Sequence, residues 1–246
     1  MESNTPQQRF AQNGFLIVHN LLSEHEIETY RRIYEDFLSG KFDTSERRSD
    51  LSGNTSDGPE RIVQIMRPSD LMPSLLNESL HRRTLEMAKS LIGEDAALDF
   101  DMMIDKSPFS DAPTPWHQDE AYWPNLPDKR ALSCWVALDD ARMENGCMWY
   151  VPGSHLEPLR NHKQTGKGGA LECPGSEAEA VPAEIKKGSC VWHHGRTVHY
   201  SRGNSTPDRR RAFILNFRPA AMIELERSLG YDHLGKRTVK NEEAKL

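Results

Sequence analysis

No apolar run in this 246-residue chain approaches the roughly 20 residues of a membrane-spanning helix, so no membrane partner is expected. The opening residues, MESNTPQQRF, are polar and lack the apolar segment of a secretory leader, so the expected compartment is the cytoplasm. Cysteine is scarce. Cys134, Cys147, Cys173 and Cys190 form no CxxC pair, which argues against a zinc ribbon. A disulfide framework is not expected in a chain of this size without a leader. Three of the four lie in apolar strand-like runs, where a reduced, buried thiol is the ordinary state. A basic excess is missing too. There are 31 Lys and Arg against 37 Asp and Glu, a formal net charge of −6, so no nucleic-acid partner is expected. There is no internal repeat and no low-complexity tract. The mean hydropathy of −0.71 points to sizeable polar loops.

Two stretches have helical spacing. Ser23 can cap a helix with Glu26 as its capping-box partner, and Ile27, Tyr30, Ile33, Tyr34, Phe37 and Leu38 then share one face until Gly40 ends it. Residues 78–92 predict a second amphipathic helix, stopped by Gly93. Strands are predicted at 14–19, 61–66, 98–104, 131–138, 147–151, 189–193 and 211–218, with Asn145-Gly146 as a tight turn between two of them. Residues 41–60 and 157–183 are polar and loop-like, and are candidates for lids over a site. Residues 231–246 predict a loose polar tail. Early helices followed by many short strands imply an α+β protein with a mainly β, jelly-roll core. Nothing marks a boundary, so a single domain over 1–246 is expected, with its core at about 8–219.

The chemistry concentrates in a few residues. His117-Gln118-Asp119 places a His and a carboxylate two residues apart, and on a strand both point to one face. With one distant His this is the ligand set of a facial-triad non-haem Fe(II) site, which leaves positions open on the metal. His199 can supply the distant ligand. His155, His193 and His194 compete for it, and spacing does not choose among them. A run of three Arg, such as 209–211, is ordinarily a solvated surface feature. Arg210 has a sharper reading, because Arg is a natural bidentate clamp for a carboxylate. Arg210, Ala212, Ile214 and Asn216 would share one strand face, and Arg209 and Arg211 the other. The pair Asp139-Asp140 reads as a solvated turn rather than as catalytic groups.

In order and spacing these residues resemble the phytanoyl-CoA dioxygenase family of Fe(II)/2-oxoglutarate oxygenases. The matching segments are NGFLIV at 13–18, His117-Gln118-Asp119, SCWVAL at 133–138, NGC at 145–147 and VPGSH at 151–155. They continue with 188–199, Ser201, Asn204 and Arg210. The resemblance spans residues 8–219. It implies a double-stranded β-helix, a cupin-like jelly-roll, with supporting N-terminal helices. It implies His117, Asp119 and His199 as metal ligands, the last because Arg210 follows it by eleven residues. It implies Arg210 and Ser201 as the grip on the distal carboxylate of 2-oxoglutarate, with Gln118, Trp135 and Gln64 lining the co-substrate pocket.

The implied reaction uses Fe(II), 2-oxoglutarate and O2 to hydroxylate an unactivated C–H bond of a small or medium-sized metabolite, releasing succinate and CO2. Related halogenases carry a small residue in place of the carboxylate, so Asp119 favours hydroxylation. Desaturation, epoxidation or cyclisation would need the same residues. A non-catalytic cupin-like binding module would lack a triad member or the Arg, and all four are here. Tyr122 and Trp123 are candidate walls of the substrate site, with ordinary packing as the alternative. Met103, Trp149 and Arg196 are further candidates, and Arg196 has a surface ion pair as its plainer reading. A monomer or weak homodimer is expected.

Overall fold

A computed structural model describes residues 4–53, 58–165 and 170–234. The elements follow in chain order as α1 (Pro6–Asn13), β1 (Phe15–Val18), α2 (Glu24–Leu38), β2 (Arg48–Asp50), β3 (Ile62–Met66), α3 (Pro68–Leu71), α4 (Ser79–Ile92) and β4 (Ala96–Lys106). The second half runs β5 (Thr114–His117), β6 (Leu132–Ala137), β7 (Met148–Tyr150), β8 (Lys163–Thr165), β9 (Ala170–Glu172), β10 (Val181–Ala183), β11 (Cys190–His194), β12 (His199–Ser201), β13 (Arg210–Pro219) and α5 (Ala220–Ser228).

Two antiparallel sheets make the jelly-roll. The larger has the order β1-β11-β6-β13-β4-β3-β2 and the smaller β10-β7-β12-β5. Pairing within the larger sheet sorts its residues into two faces, because residues opposite one another share a face. One face carries Val63, Ile65, Met103, Phe213, Leu215, Cys134, Val136, Cys190 and Trp192, and it packs on the helices. Helix α2 lies there as its spacing predicts. Ser23 caps it in a capping box with Glu26, and Ile27, Tyr30, Ile33, Tyr34 and Phe37 are buried. Phe213 anchors the layer, edge-on to Tyr30 at 5.8 Å and to His81 at 5.7 Å. The other face carries Trp135, Val191, Ala212 and Ile214 and turns toward the smaller sheet.

Helix α1, which the apolar spacing does not predict, has its own capping box from Thr5 and Gln8 and ends on Gly14 at φ 78°. A Cβ at Gly14 would run into His155 and Thr197, so the turn into β1 needs glycine for both conformation and space.

Several expectations are corrected. Residues 41–60 are not a loop throughout, because β2 pairs with β3 and Arg48 forks Glu60. The polar stretch 157–183 contains β8, β9 and β10, since alternating polar residues suffice for short edge strands. Asn145-Gly146 is a turn, with Gly146 at φ 85°, but it carries the chain from the larger sheet to the smaller rather than closing a hairpin. Residues 231–234 are not loose. His233 stacks on Phe100 at 4.0 Å and bonds Glu226 at 3.1 Å. The rest of the predicted tail, 235–246, lies outside the described residues. All four cysteines are free and buried, as expected.

Phe213 is fully buried between both long helices, so Phe213→Ala is expected to lower unfolding free energy by about 3–5 kcal/mol in urea titrations. Phe109→Ala, at a side chain 72% exposed, is expected to change it by less than about 0.5 kcal/mol.

Candidate active site

The site forms where the smaller sheet meets the larger. Strand β12 lies between β5 and β7, and its register sets His199 opposite both His117 and Tyr150. The two imidazoles stand 4.1 Å apart between centroids. Each is oriented by its own backbone. His117 Nδ1 donates to the Pro115 carbonyl at 2.7 Å and His199 Nδ1 to the Thr197 carbonyl at 2.8 Å. Both Nε2 atoms are thereby left as acceptors for a metal.

The strand ends at His117. Asp119 begins a 3-10 turn, Asp119–Tyr122, so the predicted strand alternation does not place it. The turn still brings Asp119 Oδ1 to 3.5 Å from His117 Nε2 and 3.7 Å from His199 Nε2. One ligand atom from each of the three residues lies within 4.8 Å of the others. Burial alone would push the Asp119 carboxyl up; the imidazoles around it, His199 first and then His117 and His193, outweigh burial and hold it well below the usual carboxylate range. Burial, then the neighbouring His117 and His193, push His199 well down, which keeps it neutral and able to ligate. The carboxylate's second oxygen, Oδ2, accepts from Ser133 Oγ at 3.0 Å and His193 Nε2 at 3.1 Å.

A second centre lies on the larger sheet, on the face that carries Ser133 and Asn216. Arg210 is buried, with its guanidinium 5.1 Å from the Trp135 ring. Its Nε and Nη1 have no hydrogen-bond partner among the described residues, and neither has the buried Ser201 Oγ. Burial lowers the Arg210 pKa, against the opposing pull of Asp105 and Tyr34. A buried, unpaired guanidinium is costly unless an anion joins it. Lys106, opposite Arg210 in the register, adds a second buried cation. Its Nζ donates to the carbonyls of Ala112 and Ser201, at 3.1 and 3.5 Å, and of Arg202. Burial and then the Arg210 charge push the Lys106 pKa well down. Arg210, Ala212, Ile214 and Asn216 share the predicted face, while Arg209 pairs with Asp105 and Arg211 forks Asp139.

The other candidates divide. Trp135 and Gln64 lie on the sheet face that bears Arg210, with Gln64 opposite Ile104. Gln118 is corrected. Its amide donates to the Arg196 carbonyl at 2.6 Å and accepts from the Arg160 amide at 2.9 Å, so it braces two loops instead of lining the pocket. Met103 is corrected too, since it faces the helices and its neighbour Met102 faces inward. Trp149 shares its sheet face with Tyr200, its partner in register, and lies under Arg202, whereas Tyr150 beside it faces His199. Arg196 forks Glu120 at 2.8 and 2.7 Å, which is its ion-pair reading. Tyr122 stands edge-on to His117 at 5.9 Å. Trp123 lies under the Arg218 guanidinium, two residues beyond Asn216 on β13. His155 bonds the Ala11 carbonyl, and His194 lies beside it at 5.5 Å with its Nδ1 accepting from the Arg196 amide, so both are engaged elsewhere. Sequence reasoning missed Lys106, Ser133, Tyr150 and His193 in these positions. The one available signal was a lysine closing the otherwise alternating strand that starts at residue 98.

Two histidines and a carboxylate brought together in a jelly-roll, with a buried arginine whose hydrogen bonds are unfilled among the described residues, define a class: the 2-oxoglutarate-dependent non-haem iron oxygenases. Comparison with known proteins narrows it. The phytanoyl-CoA dioxygenase (PhyH) family pattern matches residues 10–212, and the chain belongs to that family. Phytanoyl-CoA dioxygenase domain-containing protein 1 of Bos taurus is 25% identical over 259 residues, covering 87% of this chain and 89% of that one. The crystal structure of EvdO2 from Micromonospora carbonacea var. aurantiaca in complex with 2-oxoglutarate is 30% identical, with a TM-score of 0.73 over 89% of this chain and 92% of that one. The epimerase SnoN from nogalamycin biosynthesis, solved with Fe3+, alpha ketoglutarate and nogalamycin RO, is 27% identical with a TM-score of 0.70, over 87% and 82%. Among the described residues no helix is long and apolar enough to cross a membrane.

The two buried cations differ in what removing them does. Arg210→Met deletes an unpaired charge at similar volume, so the ligand-free protein is expected to be as stable as the parent or more so. Lys106→Met strands three carbonyls and is expected to cost about 1–3 kcal/mol. Urea unfolding of the two variants side by side checks both.

Proposed function

We propose that this protein is an Fe(II)- and 2-oxoglutarate-dependent dioxygenase that hydroxylates an unactivated C–H bond of a small or medium-sized metabolite. The reading rests on one observation above the others: a buried guanidinium on the larger sheet and a buried serine hydroxyl on the smaller one, both with unfilled hydrogen bonds among the described residues, in a fold that also brings two histidines and a carboxylate together. A dicarboxylate fits those two ends, and its keto-acid end would chelate a metal held by His117, Asp119 and His199. Arg210 grips the far carboxylate by charge-assisted hydrogen bonds, with Ser201 Oγ as a further donor. Trp135 and Ile214 wall the space between and keep water out. The Trp135 ring, 5.1 Å from the guanidinium carbon, also helps hold the guanidinium in place.

Bound iron and its co-substrate supply the oxidising chemistry, and release succinate and CO2 as they do so. The protein supplies position. No side chain is needed as a general base, and the turn from Asp119 through Trp123 forms the nearest wall for a substrate. Tyr122, edge-on to His117, is the substrate-facing residue closest to the ligand set. Gln64 is a further co-substrate contact. The likeness to the epimerase SnoN supports a second reading, in which the same centre removes a hydrogen and the outcome is epimerisation rather than hydroxylation. Placement of the substrate by a few ångströms decides between them.

Anaerobic addition of Fe(II) and 2-oxoglutarate to the metal-free protein is expected to give a weak visible charge-transfer band in the green. His199→Ala is expected to abolish it, and Arg210→Ala to require far more 2-oxoglutarate to reach it. Well-folded, iron-replete parent protein without the band would sink the proposal.

A further inference from the structure

Asp119 has a problem that its two partner histidines do not have. His117 and His199 lie on paired strands, and each ring is aimed by a backbone carbonyl. Asp119 lies past the end of β5 in a 3-10 turn, outside that ladder. Its carboxylate has two equivalent oxygens, and nothing in the turn itself says which of them should face the histidines.

The larger sheet supplies the answer. Ser133 on β6 and His193 on β11 are directly opposite one another in register, and both reach Asp119 Oδ2, at 3.0 and 3.1 Å. Oδ1 alone is turned to the two imidazoles. His193 is buried, and its other nitrogen, Nδ1, lies 3.3 Å from the Tyr150 hydroxyl. A phenol that donates to Nδ1 leaves the proton on Nε2, which is the tautomer that donates to Asp119. Burial pushes the Tyr150 phenol well up, so it stays a donor. On the other side Ser133 Oγ sits 2.6 Å from Asn216 Oδ1, and Asn216 Nδ2 is buried without a hydrogen-bond partner among the described residues. A single hydroxyl proton cannot serve two acceptors. Turning the Asn216 amide over puts the unpartnered Nδ2 in place of Oδ1; it then donates to Ser133, the hydroxyl proton goes to Asp119, and every donor points toward the carboxylate.

We infer that Ser133 and His193 are positioning residues of the metal centre: together they pin Oδ2 of Asp119 and leave only Oδ1 to ligate. This rests on the metal-centre reading above. Its consequence is a carboxylate that occupies one coordination position and cannot swing to take a second. The open positions that the co-substrate and O2 require are thereby kept open. Tyr150 and Asn216 act one step further out, by fixing the direction of the two hydrogen bonds.

The test titrates Mn(II) alone into metal-free protein and follows loss of the free-ion EPR signal. Ser133→Ala and His193→Leu are each expected to weaken Mn(II) binding about 10–100-fold. His193→Gln, which keeps an amide donor near the Nε2 position, is expected to stay within about threefold of the parent. A merely structural role predicts no such rescue. If His193→Leu does not fold, the small change in Ser133→Ala decides. Parent-like Mn(II) affinity in the folded Ser133→Ala and His193→Leu proteins would overturn the inference and leave the metal centre standing. A parent protein that binds no Mn(II) would overturn the metal centre, and this inference with it.

Discussion

The register of β12 between β5 and β7 is the constraint on which the rest of the site depends. It places His199 against His117 on one side and against Tyr150 on the other. Because side chains alternate along a strand, a slip of one residue would turn Tyr200 inward and both His199 and Ser201 outward. The strand is only three residues long, so its ladder alone is a weak lock. Lys106 strengthens it from the larger sheet, reaching the carbonyls of Ser201 and Arg202, and the Val151 amide bonds the Val198 carbonyl just before the strand begins. A buried lysine that looks wasteful for stability is thus the tie that holds the metal-ligand strand in place.

The cavity is electrostatically polarised along one sheet face. At one end, two buried cations, Arg210 and Lys106, stand opposite each other, with no carboxylate among the described residues in hydrogen-bond contact with either. At the other, three imidazoles surround one carboxylate. Apolar Ile214 and Trp135, paired in register, lie between. Such a cavity favours a short ligand that is anionic at the cation end and metal-chelating at the other, which is the shape of a 2-oxo dicarboxylate. The free protein carries the strain of the unpaired guanidinium until that ligand arrives, a local violation of stability rules of the kind that marks functional sites.

The helices and the smaller sheet divide the labour. Helices α2 and α4 cover the outer face of the larger sheet through Phe213, Leu215, Trp192 and their neighbours, which makes that sheet a rigid floor. Ser133, His193, Asn216 and Arg210 all rise from this floor, whereas the two histidine ligands come from the smaller sheet. The centre therefore assembles only when the sheets close on one another.

Much of the fold and the site was legible from the chain itself. The apolar spacing of Ile27 through Phe37, the capping box at Ser23, the alternation along 98–104 and the His117-Gln118-Asp119 triplet are local patterns, and local patterns survive in a linear sequence; His199, far along the chain, was singled out from its competitors only by the family resemblance. What was not legible depends on partners distant in the chain. Whether Met102 or Met103 faces the cavity is a matter of register, and whether Gln118 lines a pocket or braces loops depends on where Arg160 and Arg196 come to rest. The role of His193 was decided by Ser133, 60 residues before it and beside it on the neighbouring strand, and by Tyr150, 43 residues before it and reaching it from the other sheet. Residue types and spacing determined which chemistry this protein can support. The tertiary structure decided which oxygen, which nitrogen and which face would carry it, because those choices are made by atoms that become neighbours only on folding.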